Sequence, residues 1–371
     1  MNYQQQLLAL LRAGLGNGKL DTTLFDSSTD WTTIYRMAHQ QTVAGVVFDG
    51  LKHLPATSIL PRNLYLAWCN EVLRLETNNR KLDSEIANLY ILFRMHGLEP
   101  LLMKGQAVAQ NYPQPLHRQC GDIDLYTGPQ GFQWGNKLLR REATSEKEER
   151  YKHTSMCWHD VLVENHRVMA NLSTPWKDVK LQKDINKLSD PLTPKTVLNI
   201  GETEVTVLPP SFNTSYLLIH ALTHFLNEGI GLRHLCDWAC HVAKHCSPEE
   251  KEEAARLLRR YGLQRPARIF GALAVQQLGI PSESLPIPFT AKDQKNARFL
   301  LAEIWEGGNF GRYDERTGKR PAGRWRGKWY TFTRALHRCL RVWRLAPSEA
   351  ACYPLSLAWH TGLVLLRPRR R

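Results

Sequence analysis

The pattern of apolar and polar positions separates helical ends of the chain from a central segment of strands. Residues 1–98 repeat apolar side chains at the three- and four-residue spacing of amphipathic helices, with the longest run at about 62–96. Asp30 can cap a helix, and Gly97 suits the position after a last helical turn. We therefore predict an N-terminal helical region at 1–98.

Residues 99–210 instead show short apolar runs and alternation with a period of two, which are typical of strands. The predicted strands and hairpins lie at 100–103, 122–125, 153–166 and 198–208. Pro209-Pro210 marks the end of this segment, and the remainder, 211–371, is predicted as a C-terminal helical domain with a basic tail. The fold class is α+β, with a small mixed sheet flanked by helical regions. Two polar stretches, 145–153 and 308–329, are predicted as loops.

Two aspartates stand out within the predicted sheet. Asp122 and Asp124 alternate with Ile123 and Leu125, so on an extended strand both carboxylates share one face. Like charges on one face repel unless a cation lies between them, and Mg²⁺ is bound by one or two carboxylates together with substrate phosphates. With the Lys104-Gly105 turn just upstream, the pair indicates phosphoryl chemistry. The alternative for Lys104 is an exposed turn lysine.

The composition adds a strongly basic balance. Lysine and arginine number 49 against 35 aspartate and glutamate, a formal net charge of +14, which favours nucleic acid, nucleotide phosphates or an anionic membrane surface as partners. The excess is concentrated toward the C-terminus and ends in RPRRR, where the alternative is a solvated basic tail. No apolar run reaches the length of a transmembrane helix and the start lacks a secretory signal, so we expect a cytoplasmic protein.

The eight cysteines show no CxxC spacing. A zinc site on a helix is one interpretation of the i, i+4 and i+5 spacings among Cys236, Cys240, His241, His245 and Cys246. The favoured interpretation is that these cysteines are buried small hydrophobes of a helix.

Residues 99–125 carry a resemblance to a known family. Lys104-Gly105, Tyr112-Pro113, Arg118 and Gly121-Asp122-Ile123-Asp124-Leu125 resemble the uncharacterised nucleotidyltransferases of the polymerase-beta-like superfamily. Farther along the chain, Glu164-Asn165-His166 is similar to an acid-x-His pattern of the same family. The chain departs from the family at the Lys104-Gly105-Gln106 turn, where the superfamily commonly has Gly-Ser, and at Asn165, where an apolar residue is usual.

The resemblance implies a nucleotidyltransferase core at 99–210 and indicates which of its residues form the active site. Asp122, Asp124 and Glu164 would be the catalytic residues and would bind Mg²⁺ or Mn²⁺. The residues expected to contact the nucleotide are Lys104, Gly105, Arg118, His166, Arg233 and Asp237. His220 and His224 would line the opposite side of the cleft. The alternatives are an edge-strand Glu164 that faces water, and an internal ion pair between Arg233 and Asp237 beside core histidines.

The implied reaction moves NMP from an NTP, with ATP expected, to an acceptor hydroxyl and releases pyrophosphate. A small-molecule or sugar acceptor is the first interpretation, since helical regions on both sides can enclose a pocket. An RNA end such as a tRNA acceptor stem is the alternative that fits the net charge. A catalytically silent nucleotide- or RNA-binding scaffold is the third, supported by the missing serine and by Asn165. Peripheral contact of the basic C-terminal end with a membrane stays open.

Overall fold

The computed structural model describes residues 3–55, 60–149, 152–190, 192–316 and 321–366. The helices in these ranges are α1 Tyr3–Gly14, α2 Trp31–Gln40, α3 Ala44–Leu51, α4 Arg62–Met95, α5 Gly105–Ala109, α6 Gly128–Leu139, α7 Pro175–Ser189, α8 Pro210–Asn227, α9 Leu232–Lys244, α10 Pro248–Arg260, α11 Gln264–Leu278, α12 Ala291–Gly307, α13 Arg324–Val342 and α14 Pro347–Leu366. The strands are β1 Leu101–Met103, β2 Asp122–Tyr126, β3 Ser145–Glu149, β4 His153–Trp158, β5 Val161–His166, β6 Thr196–Ile200 and β7 Thr203–Val207.

The strands of the described ranges form one mixed sheet of seven strands in the order β3-β4-β5-β2-β1-β7-β6. β2 runs parallel to β5 and β1 runs parallel to β7, whereas the other neighbours are antiparallel. This architecture confirms the predicted α+β class with a mixed sheet between helical regions.

Helices cover both faces of the sheet. On one face α4 and α6 pack on apolar strand residues, among them Ile123, Leu125 and Val163, which are at most 1% exposed. On the other face lies α8, where the Tyr216 hydroxyl contacts the sulfur of Met103 at 3.6 Å. Because side chains alternate along a strand, the polar residues between the apolar ones of β2 and β5 face α8.

Several local predictions are confirmed. The Asp30 side chain accepts a hydrogen bond from the backbone N–H of Thr33 and caps α2. Gly97 follows α4 with φ 71°, a left-handed conformation that glycine adopts without steric cost. The hairpin of β4 and β5 turns at His159 and Asp160, so that Trp158 pairs with Val161 as the two-residue turn requires.

Both predicted loops are partly wrong. Within 145–153, Ser145–Glu149 forms β3, the edge strand beside β4. Its charged side chains are typical of an edge strand, where charge prevents pairing with another chain. Because the strand lacks alternating apolar residues, the hydrophobic pattern did not predict it. Within 308–329, α13 begins at Arg324, while 317–320 lie outside the described residues.

The C-terminal helices pack on the body of the protein. Val342 at the end of α13 and Leu345 beyond it are fully buried in the main apolar cluster. This supports the interpretation of the segment as packed helices, and the terminal RPRRR lies outside the described residues. None of the helices in the described ranges combines the length and apolarity needed to cross a membrane.

Candidate active site

The turn after β1 brings a lysine to the sheet face that is covered by α8. Lys104 has φ 52° and ψ −141°, a region that residues other than glycine rarely occupy. An added Cβ on the next residue, Gly105, would lie 3.4 Å from the Asp122 carbonyl oxygen, so the turn passes close to β2. The Lys104 Nζ lies 2.8 Å from Asp124 Oδ1. Backbone strain of this kind costs about 1–3 kcal/mol and persists where the surrounding fold enforces it.

Three carboxylates converge beside this lysine. Asp122 and Asp124 are alternate residues of β2, and the parallel register with β5 sets Glu164 opposite Asp124. One carboxylate oxygen of each residue lies within 4.8 Å of the others. The structure therefore brings together the three acids to which the sequence analysis assigned catalysis and metal binding.

Basic and hydroxyl side chains surround the three acids. His166 Nε2 lies 2.7 Å from Asp124 Oδ1, the oxygen that Lys104 also contacts. Glu164 accepts a hydrogen bond of 3.1 Å from the Ser155 hydroxyl. The ring nitrogens of His153 and His166 each lie 3.5 Å from Glu164. His166 thus contacts two of the three acids.

Burial and neighbouring charges separate the pKa values of the two aspartates. Burial and the adjacent Asp124 carboxylate raise the pKa of Asp122 to about 6. Burial also opposes ionisation of Asp124, but Lys104 and His166 outweigh it and hold the pKa of that carboxyl below its ordinary value. Burial opposes the charged form of His166 as well, yet its contacts with Asp124 and Glu164 raise the imidazole pKa. Strongly perturbed carboxylates in a cleft are typical of functional sites.

A cavity of about 400 Å³ separates the acids from α8 and α9. This volume lies in the range of small-molecule sites, roughly 300–1,000 Å³. Its lining residues are Lys104, Gly105, Arg118, Cys120, Gly121, Asp122, Asp124, His153, Ser155, Leu162, Glu164, Leu217, His220, His224, Arg233, His234, Asp237 and Phe310. Of the residues predicted for the site, all but His166 border this space, and His166 contacts Asp124, which does border it.

Arg118 and Asp237 form a buried ion pair at the cavity wall. The Arg118 Nε and Nη2 donate to the two Asp237 oxygens at 2.7 and 2.8 Å, and the Tyr112 hydroxyl donates to Asp237 Oδ1 at 2.6 Å. Arg118 is 6% exposed and Asp237 is 7% exposed. In the described part of the chain Asp237 therefore pairs with Arg118 across the fold, and not with Arg233 four residues earlier. The charges of both residues are matched within the protein.

Arg233 differs in having hydrogen-bonding capacity to spare. Its Nη1 donates to the Gln119 carbonyl oxygen at 2.9 Å, and its guanidinium carbon lies 5.7 Å from the centre of the Phe310 ring. Its buried Nε has no hydrogen-bond partner among the described residues. Burial lowers the pKa of Arg233, and the nearby Arg118 adds to this effect. An anionic ligand in the cavity would relieve both penalties.

Sequence reasoning missed four residues of this site: His153, Ser155, His234 and Phe310. The first two carried a usable signal, because the hairpin register pairs Ser155 with Glu164 and His153 with His166. No pattern in the sequence indicated His234 or Phe310, since their positions depend on how segments distant in the chain pack together.

The Cys236, Cys240 and His241 group is part of the packing of α9. All three side chains are buried, and His241 Nε2 lies 2.9 Å from the Pro210 carbonyl oxygen. Within the described residues, none of the clusters able to share a metal ion includes these three, His245 or Cys246.

Residues 27–279 match the family described as "Uncharacterised nucleotidyltransferase", which is more than half of the 371-residue chain. Among solved structures, an antigenic nucleotidyltransferase-like protein from Paracoccidioides brasiliensis aligns with 60% of this chain and 94% of its own, at 15% identity and a TM-score of 0.30. A search of curated proteins finds no match.

Proposed function

The chain belongs to this family of uncharacterised nucleotidyltransferases, and from that premise we propose that it transfers NMP from an NTP to a hydroxyl of a small-molecule or sugar acceptor. The observation that carries the proposal is the convergence of Asp122, Asp124 and Glu164 within 4.8 Å of one another, beside Lys104 and at the wall of a cavity. Such a set of acids and a lysine suits in-line phosphoryl transfer with pyrophosphate as the leaving group.

The three acids fit a divalent cation such as Mg²⁺ or Mn²⁺. Hard cations prefer carboxylate oxygens, and Asp122, Asp124 and Glu164 would hold the ion. In support, the acids already attract donor groups, since the Lys104 ammonium and a ring nitrogen of His166 both lie within 2.8 Å of Asp124 Oδ1. When bound, the ion would neutralise phosphate charge and promote deprotonation of the acceptor hydroxyl.

Protein side chains on both walls would bind the triphosphate, for which ATP is the expected source. The Lys104 ammonium offsets charge on the β- and γ-phosphates, and the absence of a side chain at Gly105 lets the backbone approach them. Across the cavity, the Nε of Arg233, which lacks a partner in the part of the chain that the structure describes, is a donor for a phosphate oxygen. Arg118 and Asp237 bind each other, so in this proposal they position α9 and the Arg233 side chain on it.

The shape of the site favours a small acceptor. The cavity lies between the sheet and helices α8 and α9, and its volume of about 400 Å³ is that of a small-molecule site and not of an extended surface for a macromolecule. The net charge of +14 favours the second candidate, transfer to an RNA end. Part of the basic C-terminal surface is already neutralised, however, because Arg316 and Arg341 pair with Glu303 and Asp314.

The proposal is tested by incubating purified protein with each α-labelled NTP and Mg²⁺, with small-metabolite extract or with total small RNA. We expect label to enter a small product only when extract is present. Label on RNA would establish the second candidate. NTP binding without pyrophosphate release under either condition would identify a silent binding module and refute the proposal.

The variant Asp124→Asn is expected to abolish label transfer, because it removes a carboxylate from the proposed metal site. Asp160→Asn is the matched control. Asp160 lies in the β4–β5 turn with its side chain 88% exposed, and asparagine tolerates its φ of 64°. Equal transfer by Asp124→Asn and Asp160→Asn would show that the acids were wrongly assigned.

A further inference from the structure

Three histidines lie together on the cavity wall that faces the carboxylates. His220 and His224 are one turn apart on α8, and His234 on α9 packs against them. The ring centroids of His220 and His224 lie 4.5 Å apart, and His234 lies 5.9 and 5.5 Å from them. One ring nitrogen of each histidine lies within 4.8 Å of the other two. The nucleotide-binding scheme proposed above uses none of the three.

Hydrogen bonding within the described residues does not explain the buried position of His234. It is 5% exposed, and neither of its ring nitrogens has a hydrogen-bond partner among the described residues. A buried polar group without a partner costs about 1–3 kcal/mol. Because His234 borders the cavity, a ligand bound there can remove this penalty.

The surroundings of His220 and His224 match those of a metal centre. A spacing of four residues sets two imidazoles on one helix face, an arrangement that helical zinc sites use. The Glu228 carboxylate lies 3.8 Å from Nδ1 of His224, from where a small side-chain movement would make it the acidic partner that metal-bound histidines commonly have. The Phe310 ring packs over the cluster, 4.9 Å from His224 and 5.7 Å from His234, and shields it on one side.

From this geometry we propose that His220, His224 and His234 bind a transition metal ion of the zinc type. Two nitrogens bound to one tetrahedral zinc lie about 3.4 Å apart, which small side-chain rotations achieve from separations of up to 4.8 Å. Three imidazoles select zinc, copper, nickel or iron over magnesium. The histidine site would therefore bind a different metal from the carboxylate site. The fourth coordination position of its ion faces the cavity that the two sites share, where water or an oxygen of a ligand can occupy it. The inference does not depend on nucleotidyl transfer.

The test is a calorimetric titration of chelator-treated full-length protein with Zn²⁺ in excess Mg²⁺, which occupies hard oxygen sites. We expect one zinc equivalent per chain, with affinity at least about 10-fold lower in His234→Asn and His224→Asn, since even the loss of a residue that only supports a ligand costs 10–100-fold. His337→Asn, an exposed histidine of α13, is the matched control and should bind zinc as the unmodified chain does.

A parallel titration with Co²⁺ identifies the ligands. Tetrahedral nitrogen coordination gives visible d–d absorption, which should disappear in both histidine variants while circular dichroism confirms that they are folded. If His234→Asn fails to fold, the more exposed His224→Asn decides. Unchanged zinc affinity in a folded histidine variant would overturn the proposal, as would a thiolate-to-cobalt charge-transfer band that assigns the ion to cysteines.

Discussion

Asp122 is predicted to lower the stability of the folded protein at neutral pH, so Asp122→Asn should stabilise the protein as it abolishes transfer. Burial and the Asp124 charge raise the pKa of Asp122 to about 6, against an ordinary value of 3.8. A carboxyl whose pKa is higher in the folded state holds its proton longer there than in the unfolded chain. Folding stability therefore falls as the pH rises between these two values, and the loss is complete above about pH 6.

The difference between the two pKa values corresponds to about 3 kcal/mol. Solvent in the cavity beside Asp122 screens this interaction, so we expect Asp122→Asn to gain about 1–2 kcal/mol at pH 8 and less than about 0.5 kcal/mol near pH 4. With an unfolding entropy of about 2 cal/mol/K per residue, the gain raises the Tm by about 1–3 °C for a chain of this length.

The assay is thermal unfolding of the unmodified chain, Asp122→Asn and Asp160→Asn at about pH 4 and pH 8. Mg²⁺ should raise the Tm of the unmodified chain at the higher pH and should do so less for Asp122→Asn, because a ligand stabilises the state that binds it. Asp160→Asn should follow the unmodified chain throughout. The reasoning is refuted if Asp122→Asn lowers the Tm at the higher pH, or shifts it equally at both.

Three further predictions concern the residues around the cavity. Asp237→Asn removes the partner charge of the buried Arg118 and should lower the free energy of unfolding by about 3–5 kcal/mol in chemical denaturation. Arg233→Gln should change the free energy of unfolding by less than about 1 kcal/mol. It should weaken ATP binding about 10-fold in calorimetry, since a hydrogen bond to a charged group is worth about 1.5–3 kcal/mol. Asn165→Val should cost about 2–4 kcal/mol of unfolding free energy, because the Asn165 amide donates to a buried carbonyl and a buried side-chain oxygen at 3.1 and 2.8 Å that would lose their partner. Lys104→Met should weaken ATP binding by at least about 10-fold. It should also raise the pKa of Asp124 in NMR titration, since Lys104 is the strongest of the charges that lower this pKa. An unchanged ATP affinity would exclude Lys104 from the triphosphate site.

Local sequence patterns were enough for the elements that frame the site. The alternation in 122–125 gives the shared face of Asp122 and Asp124 without any knowledge of the fold, because side chains on a strand alternate strictly. The two-residue turn after Trp158 likewise determines the hairpin register, and with it the pairing of Ser155 with Glu164. Asn165, unexpected on a buried face, is explained by its hydrogen bonds to α6.

Other features depended on the tertiary structure because their physical basis lies between segments that are distant in the chain. Arg118 and Asp237 are 119 residues apart, and the i, i+4 rule pointed to Arg233 as the partner of Asp237. β3 is polar because it is an edge strand, a property that only the assembled sheet gives it. Local sequence is thus enough to tell which side chains share a strand or helix face, since this follows from backbone periodicity. The packing of α8 and α9 across the cavity decided that His234 meets His220 and His224, and that the three histidines face the carboxylates, because long-range burial and not local spacing sets those contacts.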